Sequence, residues 1–412
     1  MLEDVVVIVG AGHAGVHAAV RLAAWPGRVV VIDEQSGETY ERPPLSKDFL
    51  KAEGQGDASI PPLRKEQFFA DKSIERVHGR VESIDRRAHL VHIAGGRSIA
   101  YTKLILAPGS APRALRIPGG SLTGVHLLKT RDDAVALRDA LRPGRRVVIV
   151  GAGYIGLEVA AAAAVIGCET TVLEYADRVM SRVTSHPVSA FFERLHTEHG
   201  TRFVFGAEVT AISGDGHVES VMTADGSSYP ADVVVAGIGV VPNHHLAEAA
   251  GLDVRDGIIV DADSRTSDPD VYACGDATRL VDAEAGVDRR LESIQSAQAQ
   301  ATNAANSIMG SARGKDEVPW FWTIQHGVRL QTAGLRRPDD QIVLRGRFAD
   351  GRCTVLYVRD GRLAALDTVG SLSDFTAGKK LIARATPIDV DAAADVSIKL
   401  GEAIPAPQTS TL

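Results

Sequence analysis

Cysteine is scarce in this chain: three in 412 residues, Cys168, Cys274 and Cys353, with no Cys-x-x-Cys pair. Such spacing excludes a disulfide framework, gives no support to a zinc site, and fits free thiols in a reducing cytoplasm. A basic excess is also missing. The 45 Lys and Arg face 52 Asp and Glu, a net charge of −7. That balance argues against a general nucleic-acid-binding surface and leaves room only for a local basic patch. Long apolar runs are absent too. The opening run Val5–Val9 is too short for a signal h-region or a membrane span, and Glu3 and Asp4 stand where a positive lead-in would be needed. The expectation is a soluble cytoplasmic protein with no membrane segment and no nucleic-acid partner.

Glycine, by contrast, is abundant at 40 residues, and its placement is patterned. Val6-Val7-Ile8-Val9-Gly10-Ala11-Gly12 returns as Val147-Val148-Ile149-Val150-Gly151-Ala152-Gly153. Each copy is an apolar run, a glycine turn and an alanine-rich helical stretch. One distant repeat indicates two related domains, since solenoids repeat at much shorter periods. Wholly apolar runs fit parallel strands buried on both faces. Val29–Ile32, Leu104–Leu106, Thr170–Leu173 and Val233–Ala236 read as further strands, with helical stretches between several of them, the pattern of a doubly wound sheet. After Val318 the texture changes. Gln341–Phe348, Cys353–Arg359 and Leu363–Thr368 alternate like antiparallel strands, and a helix is expected over Asp374–Ala385. The fold class is therefore α/β, with two Rossmann-like dinucleotide-binding domains and a smaller α+β C-terminal domain. The tail from Glu402 onward is expected to lack order.

The first fingerprint is Gly10-x-Gly12-x-x-Gly15, enclosing His13 and Ala14. Gly10 permits the tight turn, Gly12 lets the backbone approach a pyrophosphate, and Gly15 lets helix and strand pack closely. The helix N-terminus then offers N–H donors to the phosphates. An acid is needed about 20 residues on to bind the adenosine ribose, and Asp33 and Glu34 stand there. The second fingerprint is Gly151-x-Gly153-x-x-Gly156, enclosing Tyr154 and Ile155, with Glu174 as its acid. One such motif is weak evidence; two in strand–turn–helix context are strong. A carboxylate at Glu174 bonds ribose hydroxyls and repels a 2′-phosphate, which favours NADH over NADPH. Arg178 and Arg182 follow and can soften that preference, or can be plain surface charge. Farther on, the segment from Thr266 to Asp276 reads as a turn, a short strand and a Gly-Asp pair. Asp276 can cap a helix there or hydrogen-bond a cofactor.

With these features the chain resembles the two-dinucleotide-domain flavoprotein reductases. Leu104-Ile105-Leu106-Ala107-Pro108-Gly109 is similar to the family's crossing segment, with Pro108 where Thr is usual. Ala236-Gly237-Ile238-Gly239 opens the return crossing. The resemblance implies non-covalent FAD at the first fingerprint and NADH at the second. It places an FAD domain at 1–112 and 245–318, an NAD domain at 113–244, and a C-terminal domain at 319–412. Closer resemblance is to the oxygenase-coupled NADH–ferredoxin reductases. It is carried by Tyr40-Glu41-Arg42-Pro43-Pro44-Leu45-Ser46-Lys47, Glu292-Ser293-Ile294-Gln295-Ser296-Ala297-Gln298 and Pro319-Trp320-Phe321-Trp322. It implies FAD contacts at Arg42, Pro43, Lys47, Val81, Ala107, Gly109, Arg131, Asp276, Ile294 and Trp322. Nicotinamide-nucleotide contacts are implied at Gly237, Ile238, Gly239 and Arg182. The family continues its aromatic motif with Ser-Asp-Gln; here it is Thr323-Ile324-Gln325, a departure that bears on the partner surface.

The resemblance also assigns chemistry. Lys47 is expected beside flavin N5, with Glu158 reaching it across the domain boundary and holding the ammonium charged. Tyr154 has two readings, a gate for the nicotinamide pocket or a packed core aromatic. Trp320 and Trp322 lie on an electron route or docking surface, or pack a domain interface. No cysteine stands in residues 35–60 to take electrons from a flavin internally, so they must leave for an outside acceptor. A transiently docked 2Fe-2S ferredoxin feeding an oxygenase is the expected one. Arg289, Arg290, Arg313, Lys315, Arg336 and Arg337 are candidates for its basic contact. Rubredoxin reductase, NADH oxidase and a non-catalytic flavin-bound sensor are the alternatives, and either a monomer or a homodimer is compatible.

Overall fold

A computed structural model of the chain describes residues 4–51, 60–283, 286–315 and 317–405. They fall into two compact units, Met1–Arg42, Ser59–Ala111 and Val240–Asp316 in the first, and Pro43–Ala58, Pro112–Gly239 and Glu317–Leu412 in the second.

The first unit is built on a five-stranded parallel sheet in the order Val271–Ala273, Lys103–Leu106, Val5–Val9, Arg28–Asp33, Ile74–His78. Every residue of Val5–Val9 is buried, as a central strand covered on both faces requires. Helices His13–Arg21 and Ile294–Ile308 pack against each other, joining Ala14, Ala18, Ala301 and Ala305 in one core. Small side chains here let the two helix backbones approach closely.

The second unit repeats the plan. Its parallel sheet runs Arg202–Phe205, Glu169–Glu174, Arg146–Val150, Val233–Ala236, Val125–His126. The helix Tyr154–Ile166 is almost wholly apolar and buried along Gly156–Ala163. The same unit carries an antiparallel sheet in the order Trp320–Gln325, Val328–Gly334, Arg362–Val369, Arg352–Arg359, Gln341–Arg347. Helix Leu372–Ala383 packs on it through Phe375 and Leu381.

The two doubly wound sheets and the third, antiparallel element are as expected from the sequence. Details differ. Trp320–Gln325 and Val328–Gly334 form a hairpin that the sequence pattern left unassigned, because aromatic and polar residues there break simple alternation. The late helix starts at Leu372, two residues before the expected Asp374, because Ser371 caps it by accepting from the Asp374 N–H. Asp276 caps no helix; it stands in a turn leading into the strand Thr278–Asp282. Glu402 closes a short 3-10 turn, Leu400–Glu402, rather than opening a structureless tail, and the tail beyond 405 lies outside the described residues. Among the described residues no helix is long and apolar enough to cross a membrane.

Candidate active site

In the first unit the fingerprint forms a strand–turn–helix. Gly10 has φ +100°, and a Cβ there would stand 2.3 Å from the Ala107 carbonyl oxygen. Glycine is thus forced by conformation and by close approach of the neighbouring strand. Gly15 likewise has no room, since a Cβ would stand 1.9 Å from the Gly10 carbonyl oxygen. Gly12 is different: a Cβ there meets no protein atom within 4 Å. Packing among the described residues does not explain glycine at this position; the space beside it is open.

Asp33 ends the next strand, and its carboxylate accepts from the backbone N–H groups of Ala11 and Gln35, although burial outweighs them and pushes its pKa up. Glu34 is exposed. His13 Nε2 lies 2.9 Å from Glu41, and this hydrogen bond holds the Glu41 carboxyl below its ordinary range. Gly275, at φ +85°, lets the Gly-Asp turn come up against Ala14. Asp276 accepts from Ser110 Oγ at 2.9 Å. Gly109 has φ +67° with open space beside it, and Asn243 Nδ2 donates to Pro108 O at 2.9 Å, tying the crossing segments together. Val81 and Ile294 open their own strand and helix, and Arg42 stacks its guanidinium over Tyr40 at 4.9 Å.

The second unit reproduces this construction. Gly151, at φ +102°, would place a Cβ 2.6 Å from the Gly237 carbonyl oxygen, while Gly153 faces near-empty space. Glu174 accepts from Ala152 N at 2.6 Å and Ala176 N at 2.8 Å. These are the counterparts of the Ala11 and Gln35 contacts to Asp33, so the repeat extends to the fixing of each acid. A Cβ on Gly239 would stand 3.5 Å from Arg182 Nη2, which brings Arg182 to the Gly237–Gly239 segment, and Ile238 is half-buried there. Arg178 is not a surface charge free for a phosphate. Its guanidinium donates to Thr184 O, Ser189 Oγ and Ser181 O, because the turn folds back over it. Ile155 is exposed at the fingerprint.

Also in the second unit, the 3-10 turn Pro43–Ser46 presents Lys47 to Glu158 at 2.7 Å. Glu158 is 2% exposed, with Ser46 Oγ donating to its Oε2 and Thr323 Oγ1 to its Oε1 at 2.6 Å. The Lys47 ammonium has two further acceptors, Pro43 O at 3.3 Å and Ser46 Oγ at 3.5 Å. Three acceptors for three N–H bonds satisfy a charged amine.

Alternation along Trp320–Gln325 divides the rest. Thr323 and Gln325 turn inward and are fully buried, and Phe321 packs on Tyr154 at 4.6 Å. Trp320 and Trp322 lie on the other face, 5.5 Å apart. Burial pushes the Tyr154 phenol up, so it stays protonated. Arg131 opens the helix Arg131–Ala140, capped by Thr130. Ser46, Thr323 and Gln325 were not expected at the site. The motif continuation Thr323-Ile324-Gln325 contains two of them, but its departure, Ile324 where the family has Asp, bore on the partner surface and did not point to this site.

Of the basic candidates, Arg290 is paired with Asp256 and Glu292, and Arg336 lies over the Tyr357 ring. Arg289, Arg313 and Lys315 belong to the first unit and Arg337 to the second, the last three exposed.

Residues 4–301 match the family described as pyridine nucleotide-disulphide oxidoreductase, and residues 320–404 match the reductase C-terminal family. The chain belongs to the pyridine nucleotide-disulphide oxidoreductases. Among relatives of this reductase is "Ferredoxin--NAD(P)(+) reductase fdr" of a Sphingomonas species, 42% identical over 92% of each chain. The solved ferredoxin reductase for the CYP199A2 system of Rhodopseudomonas palustris matches with TM-score 0.93 at 39% identity, covering 98% of this chain and 100% of that one. The covalent putidaredoxin reductase–putidaredoxin complex matches with TM-score 0.92 at 36% identity and 97% coverage of each. The disulphide in the family's description has no counterpart in this reductase: Cys168, Cys274 and Cys353 are all free thiols. Burial pushes the Cys274 thiol up to about 12, which leaves it without nucleophilic character.

Proposed function

We infer that this chain is an FAD-dependent reductase that takes a hydride from NADH and passes its two electrons singly to a ferredoxin. The observation that carries the reading is the doubled glycine turn, each copy leaving open space beside its middle glycine and fixing an acid by the same two backbone amides. Such cradles fit two dinucleotide pyrophosphates. Bound FAD would supply the acceptor for one hydride and the donor of single electrons.

We assign the first cradle, Gly10, Gly12, His13, Ala14, Gly15 and Asp33, with Asp276, to FAD, and the second, Gly151, Gly153, Gly156, Glu174 and Arg182, to NADH. The domain limits that follow are 1–112 and 245–318 for FAD, 113–244 for NADH, and 319–412 for the C-terminal domain. Lys47 holds a fixed positive charge for the anionic reduced cofactor, and Glu158 keeps that charge in place. The ferredoxin is of the 2Fe-2S class, docks transiently, and serves an oxygenase. Its one-electron chemistry matches a protein with no internal thiol acceptor.

The test is anaerobic titration of the yellow protein with NADH, followed by a 2Fe-2S ferredoxin. Loss of flavin absorption and its return as ferredoxin is reduced is the expected result. Absence of bound flavin, or no bleaching by NADH, overturns the reading. Faster transfer to rubredoxin or to oxygen than to ferredoxin keeps the flavoenzyme and replaces its acceptor.

A further inference from the structure

A continuous line of hydrogen bonds runs inward to Glu158. His326 Nε2 lies 3.2 Å from His196 Nδ1, and His196 Nε2 lies 2.8 Å from Gln325 Oε1. Gln325 Nε2 donates to Thr323 Oγ1 at 3.2 Å, and Thr323 donates to Glu158 Oε1 at 2.6 Å. Glu158 Oε2 then meets Lys47 at 2.7 Å. His196, Gln325, Thr323 and Glu158 are each at most 2% exposed. At the outer end the exposed His199 ring stacks on His326 at 4.0 Å.

The charge on Glu158 sets the direction of every link. An ionised carboxylate only accepts, so the single hydroxyl hydrogen of Thr323 points at Glu158. Thr323 Oγ1 must then receive from Gln325, which turns the amide NH2 toward Thr323 and its oxygen toward His196. His196 therefore carries its hydrogen on Nε2 and leaves Nδ1 to accept from His326. Each donor faces the same way, toward Glu158, and such aligned donors strengthen one another in a dry interior.

We propose that Thr323, Gln325 and His196 are positioning residues for the Lys47–Glu158 pair. They hold the carboxylate on one oxygen so that the other is aimed at the ammonium. The proposal rests on the reading of Lys47 and Glu158 above. The charged and titratable groups facing Glu158 are Lys47 from the preceding turn, Tyr154 on its own helix, and His196 and His326 at the far end of the line. An amide in the middle bars proton conduction, so the line orients and does not relay.

The holoenzyme tests this with Thr323→Val, Thr323→Ser and a Lys47→Met control, read by two measurements. One is the rate of flavin bleaching by NADH. The other is the His196 tautomer from 15N ring shifts, assigned by loss of the signal in His196→Gln. Thr323→Val is expected to bleach about tenfold more slowly, the loss of one hydrogen bond to a charged group, and to release His196 from its single Nε2–H form. Thr323→Ser restores both. If Thr323→Val does not fold, Gln325→Met, which keeps Thr323, carries the same two readouts. A slow Lys47→Met beside a Thr323→Val unchanged in rate and tautomer overturns the positioning role alone. A Lys47→Met that bleaches at the parent rate overturns the reading of Lys47, whatever Thr323→Val does.

Discussion

The Lys47 ammonium stands 2.7 Å from the Glu158 carboxylate, and the carboxylate is 2% exposed. Removing one partner of a buried pair leaves an uncompensated charge, which costs about 3 kcal/mol or more. Glu158→Ala is therefore expected to lower unfolding free energy by about that amount. Lys47→Met is expected to slow flavin reduction by NADH about 100-fold, the scale of losing one preorganised electrostatic group. Denaturant melts and stopped-flow absorbance read the two effects separately. Full-rate bleaching in Lys47→Met would remove the charge from the mechanism.

The first cradle separates folding from binding. Gly10→Ala forces a Cβ to 2.3 Å from the Ala107 oxygen at φ +100°, and should destabilise the fold by about 3 kcal/mol. Gly12→Ala meets no protein atom. The apoprotein should therefore keep its stability within about 0.5 kcal/mol while retaining far less FAD. Normal flavin content in purified Gly12→Ala would count against the pyrophosphate assignment.

Glu174 is held by two backbone amides, so its carboxylate is fixed where it would face a ribose. Glu174→Ser is expected to raise KM for NADH about tenfold, one charged hydrogen bond, and to narrow the preference over NADPH. Arg178→Ala, by contrast, removes donors to Thr184, Ser189 and Ser181. It should lower stability by about 2 kcal/mol with little change in the NADH-to-NADPH ratio. Steady-state kinetics with both nucleotides decides.

Two buried groups give opposite pH dependences. Burial pushes the Asp367 carboxyl up to about 6, against donors Tyr357 and Thr184. Its folded pKa exceeds the unfolded one, so the folded chain binds more protons between about pH 4 and 6. That contribution is complete below about pH 4 and lost as pH rises through 6. His196 is pushed down to about 4, chiefly by burial. Its contribution is present above about pH 6.5 and is lost as pH falls toward 4. Urea unfolding of the parent and Asp367→Asn isolates the first effect. The parent should lose about 3 kcal/mol relative to the variant between pH 4 and 7. Parallel stability curves would mean that Asp367 titrates normally.

Much of this architecture was legible in the residues themselves. The apolar runs, the two glycine motifs and the spaced acids Asp33 and Glu174 are local patterns, and local backbone geometry follows from them. Gly10 and Gly151 are glycine because the turn demands a positive φ, and that demand is written in the sequence. The resemblance extended the reading to Lys47 and Glu158. Three things depended on how the folded chain arranges its turns and side chains, which the residue pattern does not encode. Arg178 read either as softening the NADH preference or as surface charge until the turn wrapped Thr184 and Ser189 around it. Asp276 offered a helix cap or a cofactor hydrogen bond, and the cap fell away because its turn leads into a strand. Thr323 and Gln325 carried no site assignment until strand alternation turned both inward, against Glu158 and His196. The sequence by itself determined the two cradles, because each is built within about 25 residues of chain. Only the tertiary structure decided what surrounds Glu158, because a buried charge needs hydrogen-bonded partners, and those partners and the groups bonded to them come from three stretches of chain outside its own helix, around Ser46, His196 and Thr323.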